Sequence, residues 1–238
     1  MDYDGEHLQE GTWNMSNTHI RNIIAALAML VGTTAWAQNK VYIEQVGNTN
    51  TVTITQTGAL NRVGNSGSES TITGSNNTLS TTQTGDSNII DYTVIGNSNT
   101  ITKTVTGDTN QITFVCGDGT TSCTSVTSTM TIAGDLNTVT STIKGSNITN
   151  TLSITGDSNT VTQTITTNNS TSNITILGDF NTFTSTMSGA SAGGGHSLTA
   201  AVTGSSNTHT ITQSGTVDTI VNVTTTGNSN TVTVTTGS

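Results

Sequence analysis

Proline is absent from this chain of 238 residues, and aromatic and charged side chains are scarce, at 3% and 8% of the sequence. The absence of proline leaves every backbone N–H able to join a β-ladder. Scarce charge argues against intrinsic disorder, although only 30% of the residues are hydrophobic. Only five lysines and arginines stand against 14 acidic residues, and the net charge of −9 argues against a nucleic-acid partner, which needs a basic face.

The chain is instead rich in threonine, with 58 copies, and in glycine, with 25. Threonine, valine and isoleucine are β-branched and favour strands over helix or coil. Glycine supplies the backbone freedom that tight turns need. The composition therefore predicts an all-β protein with many turns.

The N-terminal part is predicted to hold a targeting signal. After Met15, a segment containing Arg21 leads into an apolar stretch at 23–32, and Ala35-Trp36-Ala37 follows as an A-x-A cleavage site. The stretch is too short to anchor the chain in a bilayer. We therefore expect residues 1–14 to be a mis-annotated N-terminal extension and 15–37 to be a secretory signal peptide. Residues 38–238 are expected to form a single repeat domain that is secreted and does not insert into a membrane.

A Gly-x-x-Asn motif recurs through the chain, often at steps of eleven residues, as in Gly96/Asn99 and Gly107/Asn110. Between motifs, threonine alternates with apolar or amide side chains, as in the segment 51–57. Strict alternation is typical of a strand with one buried face. Each unit therefore predicts one strand and one tight turn.

A single strand buries nothing alone, so the units must stack. Two strands back to back make a coil of 22 residues, and successive coils pair in register about 4.8 Å apart. The predicted fold is a two-strand β-solenoid of about eight stacked coils, with amyloid-type stacking. Buried amides need partners, and stacking them in ladders provides these. The predicted inward ladder consists of Asn50, Gln56, Asn61, Asn77, Asn88, Asn99, Asn110, Asn137, Asn159, Asn181, Asn207 and Asn230.

Aspartate follows the turn glycine in alternate units, so one edge of the solenoid is predicted to be acidic. Stacked carboxylates repel by about 1 kcal/mol per neighbouring pair in a water-like dielectric. Two explanations are open for this edge. In the first, solvent, salt and turn N–H groups offset the repulsion; in the second, Ca²⁺ or protons bind along the edge. Apart from that cation hypothesis, no cofactor is expected. The acidic edge comprises Asp86, Asp108, Asp135, Asp157 and Asp179.

Cys116 and Cys123 are the only cysteines, and in a secreted chain they are predicted to form a disulfide that fixes the intervening loop. His196 borders a glycine-rich loop, and His209 falls at a predicted inward position. No serine or threonine lies in a nucleophile-elbow motif. No catalytic or metal-binding residues are predicted, and the chain is not expected to be an enzyme.

The segment Gln45-Val46-Gly47-Asn48-Thr49-Asn50 and its continuation at 56–61 resemble the curlin repeat, Gln-x-Gly-x-x-Asn followed by five residues and another Gln. Curlins are secreted subunits of curli, the amyloid-like fibres of bacterial biofilm matrix. The resemblance implies homopolymeric self-assembly, adhesion to surfaces, a nucleator subunit as a partner and export through a dedicated outer-membrane channel.

The first and last predicted strands, around Val41 and Thr233, have no capping helix or charge cluster, so we expect coils to stack from chain to chain. A different hypothesis is an ice-binding solenoid, in which Thr100, Thr102 and Thr104 align with threonines of neighbouring coils. Threonine on nearly all outward positions weakens that hypothesis, because an ice-binding protein should concentrate it on one face. A third hypothesis is the stem of an adhesin or of a phage fibre.

Overall fold

The computed structural model describes residues 24–28, 38–65, 70–189 and 195–237. Its regular elements are all strands: β1 (Ile24–Ala28), β2 (Lys40–Val41), β3 (Ile43–Val46), β4 (Thr51–Thr57), β5 (Arg62–Val63), β6 (Ser70–Thr73), β7 (Thr78–Thr84), β8 (Ile89–Asp91), β9 (Thr93–Asn97), β10 (Thr100–Thr106), β11 (Gln111–Thr113), β12 (Cys123–Thr124), β13 (Thr127–Ala133), β14 (Thr138–Thr142), β15 (Thr149–Thr155), β16 (Thr160–Ile165), β17 (Thr171–Thr175), β18 (Thr182–Met187), β19 (Ser197–Thr199), β20 (Thr208–Gln213), β21 (Ile220–Asn222) and β22 (Thr231–Thr236). Within these ranges, no helix is long and apolar enough to span a membrane.

Two parallel nine-stranded sheets form the body of the molecule. Sheet A has the order β1-β4-β7-β10-β13-β15-β17-β19-β21, and sheet B has the order β2-β5-β8-β11-β14-β16-β18-β20-β22. The chain passes from one sheet to the other at every turn, so each coil adds one strand to each sheet. The predicted β-solenoid of about eight coils is confirmed. Equivalent residues of successive coils lie 22 to 27 residues apart, because some turns carry insertions.

A third, four-stranded sheet, sheet C, was not predicted; its order is β12-β9-β6-β3. It continues the sheet B strands of the first four coils beyond a break. In the third coil the break falls at Tyr92, whose backbone N–H donates to the Ser70 hydroxyl instead of a backbone carbonyl, at 3.0 Å.

The core lies between the sheets and follows the predicted alternation. In β10, Ile101, Lys103 and Val105 are buried, while the threonines between them face outwards. Stacking brings the turn backbones very close together. A Cβ on Gly156, whose φ is +123°, would lie 2.3 Å from the Gly178 carbonyl oxygen. Glycine is required there both by the conformation and by the neighbouring coil.

The two edges of the solenoid differ. Turns from sheet A to sheet B, such as 134–137, form the acidic edge. Turns that lead into sheet A form the neutral edge. The long connection at 114–122 lies instead at the break between β11 of sheet B and β12 of sheet C.

Candidate assembly site

Asparagines at the acidic edge form a continuous hydrogen-bonded ladder. The backbone N–H and Nδ2 of Asn137 both donate to Oδ1 of Asn110 in the preceding coil, at 3.0 and 3.1 Å. Nδ2 also donates to the Gly156 carbonyl oxygen of the following coil at 2.8 Å. Successive side-chain carbonyls accept in the same direction at every rung, so the ladder has a polarity. Its rungs are Asn39, Asn61, Asn88, Asn110, Asn137, Asn159, Asn181, Asn207 and Asn230.

The first rung, Asn39, was missed in the sequence because no glycine lies three residues before it. Its Oδ1 accepts from the Asn61 N–H at 2.9 Å, and its Nδ2 donates to the Gly58 carbonyl at 3.0 Å. The spacing of 22 residues before Asn61 is the signal that could have identified it.

The neutral edge has only a short ladder. Asn50, Asn77 and Asn99 make the same contacts, and Oδ1 of Asn99 then accepts from the backbone N–H of Val126 at 2.9 Å. Beyond Val126 the equivalent positions hold Ile148, Ser170, His196 and Thr219. The predicted inward asparagines therefore divide into a nine-rung ladder on one edge and a three-rung ladder on the other.

Gln56 lies below Gln83, and its Nε2 donates to Oε1 of Gln83 at 2.8 Å. Gln83 then donates to the Asn88 carbonyl at 3.0 Å. Val105 replaces glutamine in the next coil. The glutamine ladder thus has two rungs.

The carboxylates of the acidic edge accept hydrogen bonds from backbone N–H groups. Oδ1 of Asp135 accepts from the Asp108 N–H at 2.7 Å, and Oδ1 of Asp157 accepts from the Asp135 N–H at 2.7 Å. Asp86, Asp108 and Asp179 accept in the same way. The neutral edge uses uncharged acceptors in the equivalent role, such as Asn97 and Asn168. Charge is therefore not needed for this contact. Among the described residues, no three His, Cys, Asp or Glu side chains are grouped so that they could hold a metal ion.

A disulfide joins Cys116 and Cys123, both fully buried. Within the loop, Oδ1 of Asp118 accepts from the backbone N–H groups of Thr120 and Thr121 at 2.9 and 2.8 Å. Its Oδ2 lies 2.8 Å from Nζ of Lys144 on the next coil. The Lys144 contact, supported by Thr120 and Thr121, lowers the pKa of the Asp118 carboxyl well below its usual range. The loop is thereby fixed to the side of the solenoid.

Lys103, recognised in the sequence only as a departure from the apolar pattern, is completely buried. Its Nζ donates to the Ser128 hydroxyl at 3.0 Å and lies 4.0 Å from the centre of the Phe114 ring. Desolvation by burial lowers the pKa of Lys103 well below its usual value. From Ser128 the contacts continue through Asn150 to Gln163, so a buried polar chain crosses the core.

Both histidines of the repeat region are buried. His209 occupies its predicted inward position, with Nε2 2.8 Å from the Thr225 hydroxyl and its ring stacked on Phe183. Burial lowers the pKa of His209. His196 lies between the Ser188 carbonyl and the Thr219 hydroxyl, each at 3.0 Å. Both ring nitrogens of His196 therefore have partners, whereas the buried Nδ1 of His209 has none among the described residues.

The ends of the stack are sheet edges. Among the described strands, β22 pairs only with β20, β21 only with β19, and β2 only with β5. Strand β4 pairs with β7 on one side and on the other side with β1, a strand within the predicted signal peptide. A β-solenoid with internal amide ladders and unpaired strand edges at its ends is a structural type of fold.

Comparison with known proteins supports that class. The family model of the curlin associated repeat matches residues 37–58. The chain therefore contains a curlin-like repeat, at the first coil of the solenoid. No curated protein and no solved structure matches the chain.

Proposed function

We propose that this protein is a secreted structural subunit that self-assembles end to end into curli-like amyloid fibres, which serve in surface adhesion and biofilm matrix. The observation behind the proposal is the pair of exposed sheet edges at β22 and β2, which terminate a stack whose coils already pair in register. Unpaired strand edges template pairing with another chain. The curlin-like repeat at residues 37–58 supports the same assignment.

The route to the fibre follows from the signal peptide proposed at 15–37. Cleavage after Ala37 would release a chain that begins at Gln38 and retains every strand except β1. An outer-membrane export channel and a nucleator subunit are the proposed partners, by analogy with the curlin repeat. The role is structural, because the buried polar side chains are largely engaged in ladders and core contacts.

Electron microscopy of the purified chain from Gln38 tests the proposal. We expect unbranched fibres that bind thioflavin T and give a cross-β reflection near 4.8 Å. Light scattering that shows a persistent monomer at high concentration would contradict the proposal.

A specific observation also favours a second function, ice binding. In the last five coils every outward position of β14, β16, β18, β20 and β22 that aligns with Thr138, Thr140 or Thr142 is threonine, giving fifteen side chains in a grid. Neighbours lie about 4.8 Å apart across strands and about 6.6 Å apart along them. None of the fifteen is buried, and none of their hydroxyls bonds to another described residue.

The threonine coverage is less uniform than the sequence suggested, because the first coils of sheet B present Lys40, Arg62 and Asp91 outwards. An uncharged lattice of hydroxyl and methyl groups suits a crystalline water surface better than a charged ligand. We expect the wild-type chain to inhibit ice recrystallisation. Inhibition should be reduced in T184K, at the centre of the grid, and retained in Q111K, outside the grid. A wild-type chain without any inhibition rules this function out.

A further inference from the structure

We propose that the last coil of the solenoid, which consists of β21, β22 and the segment between them, opens in mild acid, and that protonation of His209 causes this opening. The inference concerns the fold of a single chain, so it does not depend on the proposed fibre function. Its basis is the position of one buried imidazole between the last coil and the coil before it.

The ring of His209 is enclosed by the last coil. His209 points inwards from β20 and is fully buried. Its ring stacks on Phe183 of the preceding coil, with ring centres 5.9 Å apart, and the strand register places Val232 of the last coil beside it. Across the core, Nε2 forms a hydrogen bond of 2.8 Å with the hydroxyl of Thr225, which also belongs to the last coil. Separation of the last coil therefore exposes the imidazole to water.

A charged imidazole does not fit this site. Nδ1 of His209 is buried and has no hydrogen-bond partner among the described residues. Protonation would leave a charged ring with a buried N–H that has no acceptor, which is unfavourable in apolar surroundings. Water can reach both ring nitrogens once the coil has opened, so the proton binds preferentially to the opened form. Desolvation accordingly lowers the pKa of His209 from its ordinary value of 6.5.

The surroundings of the ring carry no compensating charge. Its aligned neighbours in the sheet, Phe183 and Val232, do not titrate. Within the described range 195–237, the other titratable side chains are His196 and Asp218, and Asp218 is exposed. The aspartate column of the acidic edge ends in the preceding coil, so no carboxylate of that column belongs to the last two coils. Burial, and not a neighbouring charge, is therefore the cause of the lowered pKa.

The last coil is attached more weakly than the inner coils. Strand β21 pairs with β19 over three residues, whereas the inner strands β13 and β15 pair over seven. The inward side chain of Val232 is only partly buried, whereas Val139 and Val161 in the same column are 1% exposed. A terminal unit with short strands and incompletely buried apolar side chains opens at a lower free energy than the whole fold.

His196 provides a matched comparison, because it is also buried and also contacts the last coil. Its Nε2 donates to the Ser188 carbonyl at 3.0 Å, and its Nδ1 lies 3.0 Å from the Thr219 hydroxyl. Both nitrogens thus face oxygen atoms that can accept a hydrogen bond, so a charged ring keeps a partner for each N–H. The opening is therefore assigned to His209 and not to His196.

The direction of the pH effect follows from the lowered pKa. The opened coil takes up a proton as the pH falls through about 6.5, whereas the closed coil does so only at a lower pH. Closure is therefore most favourable above that value and weakens below it. Between pH 7.5 and 5.5, a single proton changes the opening equilibrium by up to about tenfold, and carboxyl groups with ordinary pKa values stay ionised in this range.

Native-state hydrogen exchange of the full, unassembled chain tests the proposal. The backbone N–H groups of Thr208 and Ser214 donate to carbonyl groups of the last coil, those of Asn230 and Thr236, at 2.8 Å each. Their protection from exchange therefore reports the opening of that coil. After correction for the intrinsic pH dependence of exchange, this protection should fall by up to about tenfold between pH 7.5 and 5.5.

The amide of Thr138, which donates to the Asn159 carbonyl of the next inner coil, serves as the internal reference and should keep its protection. H209Q removes the titratable ring and retains an amide that can bond to Thr225, and H196Q is its matched control. We expect the fall in protection in the wild type and in H196Q, and no fall in H209Q. Equal protection at both pH values in the wild type would overturn the proposal. So would a fall that persists in H209Q, or one that affects Thr138 to the same extent.

The imidazole C–H signals of His209 in the wild-type chain provide a readout that needs no variant, and it decides the question if H209Q does not fold. These signals should report a pKa below 6.5, and protection of the Thr208 amide should fall between pH 7.5 and 5.5. A pKa of 6.5 or above, or a titration of the ring with unchanged Thr208 protection, would contradict the proposal.

Discussion

The asparagine ladder predicts a large and localised effect of removing one inner rung. In N137A, two hydrogen bonds donated by Nδ2 are lost, to Asn110 and Gly156. Two that Oδ1 accepts are also lost, from the backbone N–H and Nδ2 of Asn159. At about 1 kcal/mol for each bond, with buried partners left unsatisfied, the free energy of unfolding should fall by about 4 kcal/mol.

The matched control is T162A, one coil away on the outward face, whose hydroxyl bonds to no described residue. It should cost less than about 1 kcal/mol, mainly through strand propensity. Chemical denaturation of freshly purified, unassembled chain, followed by circular dichroism, compares the two variants. Native-state hydrogen exchange adds a local test, because the Asn159 amide should lose protection in N137A. If N137A and T162A unfold at the same denaturant concentration, the ladder does not hold the coils together.

Three further outcomes follow from single positions. K103M should raise the free energy of unfolding at neutral pH. Burial lowers the pKa of Lys103 in the folded chain only, so the stability of the wild type should rise as the pH is raised towards 10.5. The difference in melting temperature between K103M and the wild type should therefore shrink as the pH rises. A difference that does not change with pH would contradict a neutral buried amine. G156A should lower the free energy of unfolding by several kcal/mol, since the new Cβ meets the Gly178 carbonyl. G119A should not, because the space around its Cβ is open. Similar melting temperatures for the two variants would contradict the close contact between coils. D135N should melt at the same or a higher temperature at low salt, because an amide oxygen can accept the Asp108 N–H and like-charge repulsion falls. If Ca²⁺ binds the acidic edge, it should raise the wild-type melting temperature relative to chelator, and less so in D135N; equal values with Ca²⁺ and chelator exclude that binding.

The repeat predicted the solenoid because its constraints are local. Alternation assigns each side chain to a face, and the Gly-x-x-Asn turn fixes where the chain reverses. Stacking then follows, since a lone strand buries nothing. The acidic edge could be predicted from the sequence because Asp135, Asp157 and Asp179 lie at equal spacing along the chain.

The unpredicted features depend on contacts between coils. The ladder at the neutral edge stops at Val126, and only the pairing of Cys123 with Gly96 shows that this valine stands at the position of Asn99. The buried Lys103 depends on the Ser128 hydroxyl and the Phe114 ring, which lie in different coils and carry no shared spacing. Sheet C begins beyond the break at Tyr92, where the backbone N–H donates to a side chain of the neighbouring coil, the Ser70 hydroxyl.

Mass per length of the fibres, measured by scanning transmission electron microscopy, tests the central claim most directly. Eight coils at about 4.8 Å each predict one chain for roughly 40 Å of single-file fibre. That value, together with a reflection near 4.8 Å along the fibre axis, is the result expected for folded solenoids stacked end to end. One chain for every 4.8 Å or so would mean that each chain contributes a single layer, and it would contradict the solenoid subunit.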